Sequence, residues 1–357
     1  MEACMSKVRI GVIGAGGIVA RLHLPDLARN DDFELRLVSG RKERRLTQLC
    51  EQFDISNWTQ SYDDVIADDS IDAVLIGTPH PLHVSWGIAA IEAGKHVLMQ
   101  KPLTGDMDEA NAFVAAVEKT DRTVQCMPHF GSAEYTLRKL CKEGVIGKVS
   151  GGNFRHSHGG PEIYYAEIRD IFGETDEDLW FFDAKRASVG ALFDMGVYAA
   201  SKVVAVLGTV KRVAAMVTTF DKPTELDDVA TLICQMENGA VVTAETSWCD
   251  PARTTMFRIH GTAGKFMGPG EDGASVTKYT PTSYTREMAP VATEPVELTE
   301  GVGDLHEHWH DCIARGIQPP VENAWTARHV TEVLLAGLEA GSIGKTVELT
   351  TTADMPE

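Results

Sequence analysis

Two glycines early in the chain have the spacing of an anion cradle. An apolar run (Val8, Ile10, Val12, Ile13) ends in Gly14-Ala15-Gly16-Gly17, and Ile18 opens a helical pattern. Gly14 allows a tight turn and Gly16 lets a backbone approach a pyrophosphate, while the first helical amides face the anion. The third position of the fingerprint is Val19, with Ala20 beside it, so the helix–strand contact is expected to be slightly wider than with glycine. A plain strand–turn–helix has the same local pattern. The second strand favours a dinucleotide, because its end reads Val38-Ser39-Gly40-Arg41-Lys42-Glu43-Arg44-Arg45, with Ser39 lying 23 residues past Gly16. No carboxylate stands there to hold ribose hydroxyls. A small hydroxyl with Gly40, Arg41 and Arg44 suits a 2′-phosphate, which favours NADP over NAD. A solvated basic helix start is the alternative, although cations there oppose the helix dipole.

The proton chemistry rests on three further clusters. Thr78-Pro79-His80-Pro81-Leu82-His83 follows an apolar strand, and Gln100-Lys101-Pro102 follows another. A lysine at the carboxyl end of a buried strand can reach a ligand, or can be a surface anchor. Gly190-Ala-Leu-Phe-Asp194-Met-Gly196-Val-Tyr198 reads as the start of a helix running to Leu207, with Asp194 and Tyr198 on one face. Gly196 allows close approach of a backbone or ligand. His156 and His158 are two apart on a strand, a spacing that a metal could use. With no carboxylate or cysteine at ligand spacing, hydrogen bonding and aromatic stacking of substrate by His156 and Tyr164 are preferred, and no metal is expected. His306-Glu-His308-Trp-His310 is read as the start of a solvated or interface helix.

Positioning these groups requires an α/β fold. The first third alternates strands at 8–13, 33–39, 71–77, 96–99 and 122–126 with helices at 17–29, 43–53, 62–67, 83–93 and 106–119. This is the pattern of a doubly wound parallel sheet, the Rossmann arrangement, with ligand at the strand carboxyl ends. After residue 127 the pattern changes. A helix (133–143), a strand (149–156) and an irregular stretch precede the 190–207 helix. Strand-like runs at 210–220, 229–236, 241–248, 256–260 and 274–279 follow, with Glu237-Asn238-Gly239 at a hairpin. Helices at 304–315 and 324–340 close the chain. The expected organisation is a Rossmann dinucleotide-binding domain over 1–127 and an α+β domain over 128–357, with a large, mostly antiparallel open sheet, for substrate and oligomerisation.

Composition narrows the class. A net charge of −19 argues against nucleic acid or an anionic membrane surface as partner. Seven scattered cysteines without C-x-x-C spacing fit reduced thiols in a cytoplasmic setting. The first strand begins too early to leave room for a signal peptide, and no apolar run reaches membrane-spanning length.

The glycine turn, the Thr78–His83 run, Ala93-Gly94-Lys95-His96 through Lys101-Pro102, and Asp194-x-Gly196-x-Tyr198 resemble the Gfo/Idh/MocA family of oxidoreductases along nearly the whole chain. The resemblance implies an NAD(P)-dependent dehydrogenase acting on an alcohol carbon of a carbohydrate or polyol. It implies that Lys101 binds the reacting hydroxyl beside the nicotinamide and that Gln100 stands for the family's cofactor-positioning glutamate, keeping its shape and losing its charge. Tyr198, where relatives commonly have histidine, is implied as acid/base, as in glucose–fructose oxidoreductase and the sugar and dihydrodiol dehydrogenases. Asp194 is implied as acceptor for a substrate hydroxyl, and the Tyr and Lys roles are interchangeable at this stage. A phenol beside an ammonium can relay the proton as the hydride moves.

Three departures from the family pattern shape the substrate expectation. Trp180-Phe181-Phe182-Asp183 lacks an arginine, Ser188-Val189-Gly190 replaces a triple glycine, and His129 replaces an arginine near cofactor and substrate. A less cationic site favours a neutral sugar or cyclic polyol. The sheet is implied as the face of a homodimer or homotetramer. The rival expectations are an NAD-dependent dihydrodiol-type dehydrogenase, a non-catalytic nucleotide- and sugar-binding regulator, and a glycosidase-like relative that cycles its hydride internally.

Overall fold

A computed structural model gives the fold, describing residues 7–174, 180–187, 189–269, 275–281 and 291–356. The chain divides into two compact units. The first is Met1–His129 with Pro161–Trp180 and Asp304–Ala327; the second is Phe130–Gly160, Phe181–Gly303 and Arg328–Glu357.

Among the described residues the first unit holds six strands: β1 (Val8–Ile13), β2 (Phe33–Ser39), β3 (Asn57–Thr59), β4 (Ala73–Ile76), β5 (His96–Met99) and β6 (Val124–Cys126). They form one parallel sheet in the order β3-β2-β1-β4-β5-β6. β1 and β4 are nearly or wholly buried along their length because helices cover both sheet faces, as the unbroken apolar runs require. The strand order reverses between β1 and β4. That reversal opens a crevice at their carboxyl ends, where Gly14 and Thr78 lie.

The helix after β1 begins at residue 17 but is not α-helical throughout. Residues Val19–His23 form a π-turn, and an α-helix continues over Leu24–Arg29 with Pro25 in its first turn. A proline has no N–H and crowds the preceding turn, so a π-turn followed by a fresh helix start accommodates Pro25 where a continuous α-helix would clash. Val19 is fully buried, and a Cβ built on Gly77 would lie 2.3 Å from its Cγ2. The close packing that a third glycine would give is therefore supplied from the opposite side, by Gly77. The wider contact expected from Val19 is not formed.

Two later segments belong to the first unit. The stretch read as irregular contains a helix, Glu162–Phe172, whose Phe172 joins the core with Leu46 and Leu49. Helix Leu305–Arg315 begins with Asp304 in a capping box with Glu307 and buries Leu305 and Trp309 in the same core.

In the second unit the strands are β7 (Val149–Ser157), β8 (Val210–Thr218), β9 (Val229–Met236), β10 (Val241–Ser247), β11 (Thr254–Gly261), β12 (Lys265–Gly268), β13 (Thr277–Pro281), β14 (Val291–Pro295) and β15 (Val347–Glu348). Their order is β14-β13-β12-β11-β7-β10-β9-β8-β15, antiparallel except for the β7–β10 pair. The Glu237–Gly239 turn joins β9 to β10, with Gly239 at φ +88°. One face carries the core: Leu137, Phe154, Val203, Val204, Leu232, Phe257, Phe266 and Leu334. Outside it, Met216 and Phe220 are 83% and 80% exposed. Ala274, in the run expected over 274–279, and Ser188 lie outside the described residues.

The helix expected from Gly190 to Leu207 is two helices, Ala191–Asp194 and Gly196–Leu207, parted at Met195 with φ −111°. A Cβ on Gly196 would stand 2.9 Å from Leu192 Cδ1 and 3.0 Å from Thr246 Cγ2, so the second helix starts tightly packed against β10.

Candidate active site

At the end of β1, Gly14 has φ +96°, and a Cβ there would lie 2.6 Å from the Thr78 nitrogen. Only glycine makes this turn. The Gly14 and Ala15 amides both donate to the Ser39 carbonyl, at 3.0 and 2.9 Å. Gly16 differs: a Cβ there would find only the Gly77 oxygen, at 3.9 Å. The protein's own packing leaves that position open. Beyond it, Gly17 and Ile18 begin the helix with first-turn amides that have no intrahelical acceptor. Across the crevice Thr78 is buried, and its Oγ1 has no hydrogen-bond partner among the described residues. An open glycine, helix-start amides and an orphaned hydroxyl fit the phosphates of a bound dinucleotide.

The end of β2 is arranged differently from the expectation. Ser39 is fully buried, and its Oγ donates to the Val12 carbonyl at 2.7 Å. The hydroxyl is turned into the sheet, so Ser39 shapes the glycine turn and is not placed to bind phosphate. Of the basic cluster, Lys42 and Arg45 both hold Glu174, at 2.6 and 2.5 Å. Hydrogen bonds from Arg45 pull the Glu174 carboxyl down to about 2, against its partial burial, with Lys42 adding to the effect. Arg44 donates to the Phe172 carbonyl at 3.2 Å. Arg41, beside Gly40, is exposed, and its carbonyl accepts from Gln60 Nε2 at 2.9 Å.

Next along the edge, Pro79 leads into a short turn at His80, whose ring stands edge-on to Trp180 with centroids 5.7 Å apart. His83 is buried, with Nδ1 2.7 Å from the Pro102 carbonyl and Nε2 2.9 Å from the Thr78 carbonyl. Its ring therefore ties the end of β4 to the segment after β5. Burial is the main influence on it and lowers its pKa. Gln100 is also buried; its Oε1 accepts from the Lys101 amide at 3.1 Å, and its Nε2 lies 2.7 Å from His23 Nε2. Lys101 is half-buried, just past β5. His129, just past β6, has Nδ1 3.3 Å from Glu322 Oε1. Glu322 is buried, and its Oε2 lies 3.5 Å from His308 Nε2. Burial alone would lower His308; hydrogen bonds to Cys312 and Glu322 outweigh it and push it up to about 9. Tyr164 lies on the Glu162–Phe172 helix of this unit and is half-buried.

In the second unit Tyr198 is half-buried, and its ring packs on His156 with centroids 4.6 Å apart at 30°. His156 Nδ1 lies 3.0 Å from Thr255 Oγ1. Asp194 is 2% exposed; its Oδ2 accepts from Trp248 Nε1 at 2.9 Å and lies 4.0 Å from His158 Nε2. Met195 separates the short helix that ends at Asp194 from the one that carries Tyr198, while Tyr198 packs against the cluster around Trp248, the donor to Asp194. Among the described residues, no three His, Cys, Asp or Glu side chains are grouped to hold a metal ion.

Two family models match: residues 8–127 the oxidoreductase family with NAD-binding Rossmann fold, and residues 135–267 the Gfo/Idh/MocA C-terminal domain. The chain belongs to the Gfo/Idh/MocA oxidoreductase family. It is 27% identical to D-xylose 1-dehydrogenase (NADP(+)) 2 of Haloferax volcanii over 346 residues, 95% of this chain and 99% of that one. It is 25% identical to levoglucosan dehydrogenase of Pseudarthrobacter phenanthrenivorans over 301 residues, 74% of each. A solved levoglucosan dehydrogenase in complex with NADH and levoglucosan shares the fold, with TM-score 0.78 at 20% identity over 97% of this chain and all of that one.

Gln100 and His129 are each linked to buried histidines of the 304–327 segment, to His306 through His23 and to His308 through Glu322. Of the solvated or interface helix expected at His306–His310, the solvated reading is overturned, since His306 and His308 are 1% and 9% exposed. For His23 and Glu322 the sequence carries no local signal; for His306 and His308 the one signal is the histidine spacing, which reads equally well as a polar helix face.

Proposed function

We propose that this protein is an NAD(P)-dependent dehydrogenase, with NADP favoured, moving a hydride between nicotinamide and an alcohol carbon of a neutral sugar or cyclic polyol. The observation that carries the reading is the strand-end set of the first unit: a glycine turn with room at Gly16, the orphaned Thr78 hydroxyl, and Lys101 at the end of the strand beside β4. The names of the sugar-dehydrogenase relatives support the substrate class. The bound dinucleotide supplies hydride chemistry. Lys101 donates a hydrogen bond to the reacting hydroxyl oxygen, and Tyr198 takes or returns its proton. His156 steadies the Tyr198 ring by stacking and offers substrate a polar edge. Asp194, buried and bonded to Trp248, is given a bracing role in place of contact with a substrate hydroxyl. His129 and Tyr164 are assigned to substrate, and Gly14, Gly16, Gly17, Ile18, Gly40, Arg41, Thr78, Pro79, His80, Gln100 and Trp180 to cofactor. Exposed Met216 and Phe220 on the outer sheet support that face as the contact of a homodimer or homotetramer. The six cysteines among the described residues are all free, which fits a reducing, cytoplasmic compartment.

The NADP preference rests on Arg41, since Ser39 faces inward and Glu174 occupies Lys42 and Arg45. Those same two observations favour NAD as the second reading. Fluorescence titration of NADPH and NADH with wild type and Arg41→Ala decides between them. A preference for NADPH of about ten-fold, near 1.4 kcal/mol, that collapses in the variant supports the phosphate site. Tighter NADH binding overturns it. Turnover on D-xylose, levoglucosan and cyclic polyols, followed by nicotinamide absorbance, tests the substrate class. Net turnover on none of them with either cofactor removes the dehydrogenase reading.

A further inference from the structure

Gln100 is engaged at both ends of its side chain within the first unit. The Lys101 amide donates to the Gln100 side chain at 3.1 Å, so the acceptor there is Oε1. The opposite rotamer would set an NH2 group against an N–H. The Nε2 end of Gln100, which can only donate, therefore faces His23 Nε2 at 2.7 Å. That nitrogen must carry a lone pair, so the proton of neutral His23 sits on Nδ1. His23 Nδ1 lies 3.0 Å from His306 Nε2, which must accept in turn, leaving the His306 proton on Nδ1. This last nitrogen is buried and lies 3.9 Å from Asp26 Oδ2. Each group fixes the next, in one direction, from the backbone of Lys101 to the helix that carries Asp26.

We propose that His23 and His306 are positioning residues for Lys101, forming a file of neutral hydrogen bonds whose direction is set by the amide at position 100. The inference rests on the dehydrogenase reading for its consequence, though not for its geometry. Gln100 is 5% exposed, His306 1% and His23 not at all, so an unmatched charge in the file has no water to meet it. Burial holds His23 well below the ordinary histidine value, with His306 adding to the effect, and brings His306 down to about 4. The charged groups acting on His306 are Asp26 and Asp304, which raise it, and His129, which lowers it. A glutamate at position 100 would set a carboxylate against the His23 lone pair. The file could then hold only with a proton on His23 Nε2, either by reversing the tautomers of His23 and His306 or by taking up a proton on His23.

The test is protonation-state NMR on full-length protein labelled with nitrogen-15 histidine. In the wild type, His23 and His306 are expected as Nδ1–H tautomers that do not titrate from about pH 6 to about pH 9. In Gln100→Glu, His23 is expected to carry a proton on Nε2 over that range, as the reversed tautomer or doubly protonated. A wild-type Nε2–H tautomer at His23, or a His23 whose Nε2 stays unprotonated in Gln100→Glu, overturns the proposal. Turnover gives the second readout. His23→Phe is expected to lower kcat roughly 100-fold while the Kd for NAD(P)H stays within about three-fold. A Kd that weakens as much as kcat falls would mean a merely structural role. Absence of wild-type turnover would remove the dehydrogenase reading, and the tautomer result would still decide the hydrogen-bond file.

Discussion

Alanine at Gly14 and alanine at Gly16 are the same chemical change two residues apart, and the structure gives them opposite consequences. At Gly14 the backbone is left-handed, at φ +96°, and the new Cβ would lie 2.6 Å from the Thr78 nitrogen and 2.7 Å from the Gly77 carbonyl carbon. Both are backbone atoms at the end of a buried strand and cannot step aside. Left-handed strain and overlap together cost roughly 2–5 kcal/mol. In a domain of this size, that lowers Tm by roughly 5–15 °C. At Gly16 the nearest atom to a Cβ is 3.9 Å away, so the fold is expected to tolerate alanine within about 1 kcal/mol, in the stabilising direction. The methyl, however, fills the space a pyrophosphate needs. Losing two charge-assisted bonds, each worth about 1.5–3 kcal/mol, weakens the cofactor at least roughly 100-fold. Thermal unfolding of both variants, with NADPH and NADH titrations of Gly16→Ala, separates the two roles. A Gly16→Ala protein that binds both nucleotides as tightly as wild type would refute the placement of the phosphates at this turn.

Three further outcomes follow from the charges and bonds described. Glu174→Gln releases Lys42 and Arg45, so NADPH is expected to gain on NADH by roughly three-fold, an advantage that shrinks with added salt; unchanged relative affinity would remove Glu174 as a competitor of the 2′-phosphate. The Asp227 carboxyl is pushed from 3.8 to about 6, mainly by burial. The folded state therefore holds this proton more tightly than the unfolded chain. Stability from this group is full below the unfolded value and falls as pH rises through about 6, a loss of about 3 kcal/mol at neutral pH. Denaturant unfolding of Asp227→Asn across that window is expected to lack this slope, and parallel wild-type and variant curves would contradict the assignment. Trp248→Phe removes the donor to buried Asp194, with an expected stability loss of about 1.5–3 kcal/mol and reduced turnover; a variant of wild-type stability and rate would end the bracing role of Asp194.

The chain's local patterns determined the class of fold and the residue types at the strand ends. Strand and helix periods are local, so the parallel sheet was legible. The Gly14 turn, the strand-end Lys101 and the Glu237–Gly239 hairpin are short motifs that carry their own geometry, and the structure has strands and turns at those places. Side-chain direction and long-range partners were not legible. Ser39 has the right type at the right spacing, but its hydroxyl satisfies the Val12 carbonyl inside the sheet. Glu174 meets Arg45 from 129 residues away, and His306 meets His23 from 283 residues away. Such pairings leave no periodic trace, because they are set by which helices pack on the sheet rather than by neighbours in the chain. The close packing of Gly196 against Thr246 is of the same kind. The sequence by itself determined where the sheet ends and which residue types stand there. Packing between distant segments decided which of those side chains face a ligand and which are already engaged, because a buried polar group takes whatever partner the assembled core presents to it.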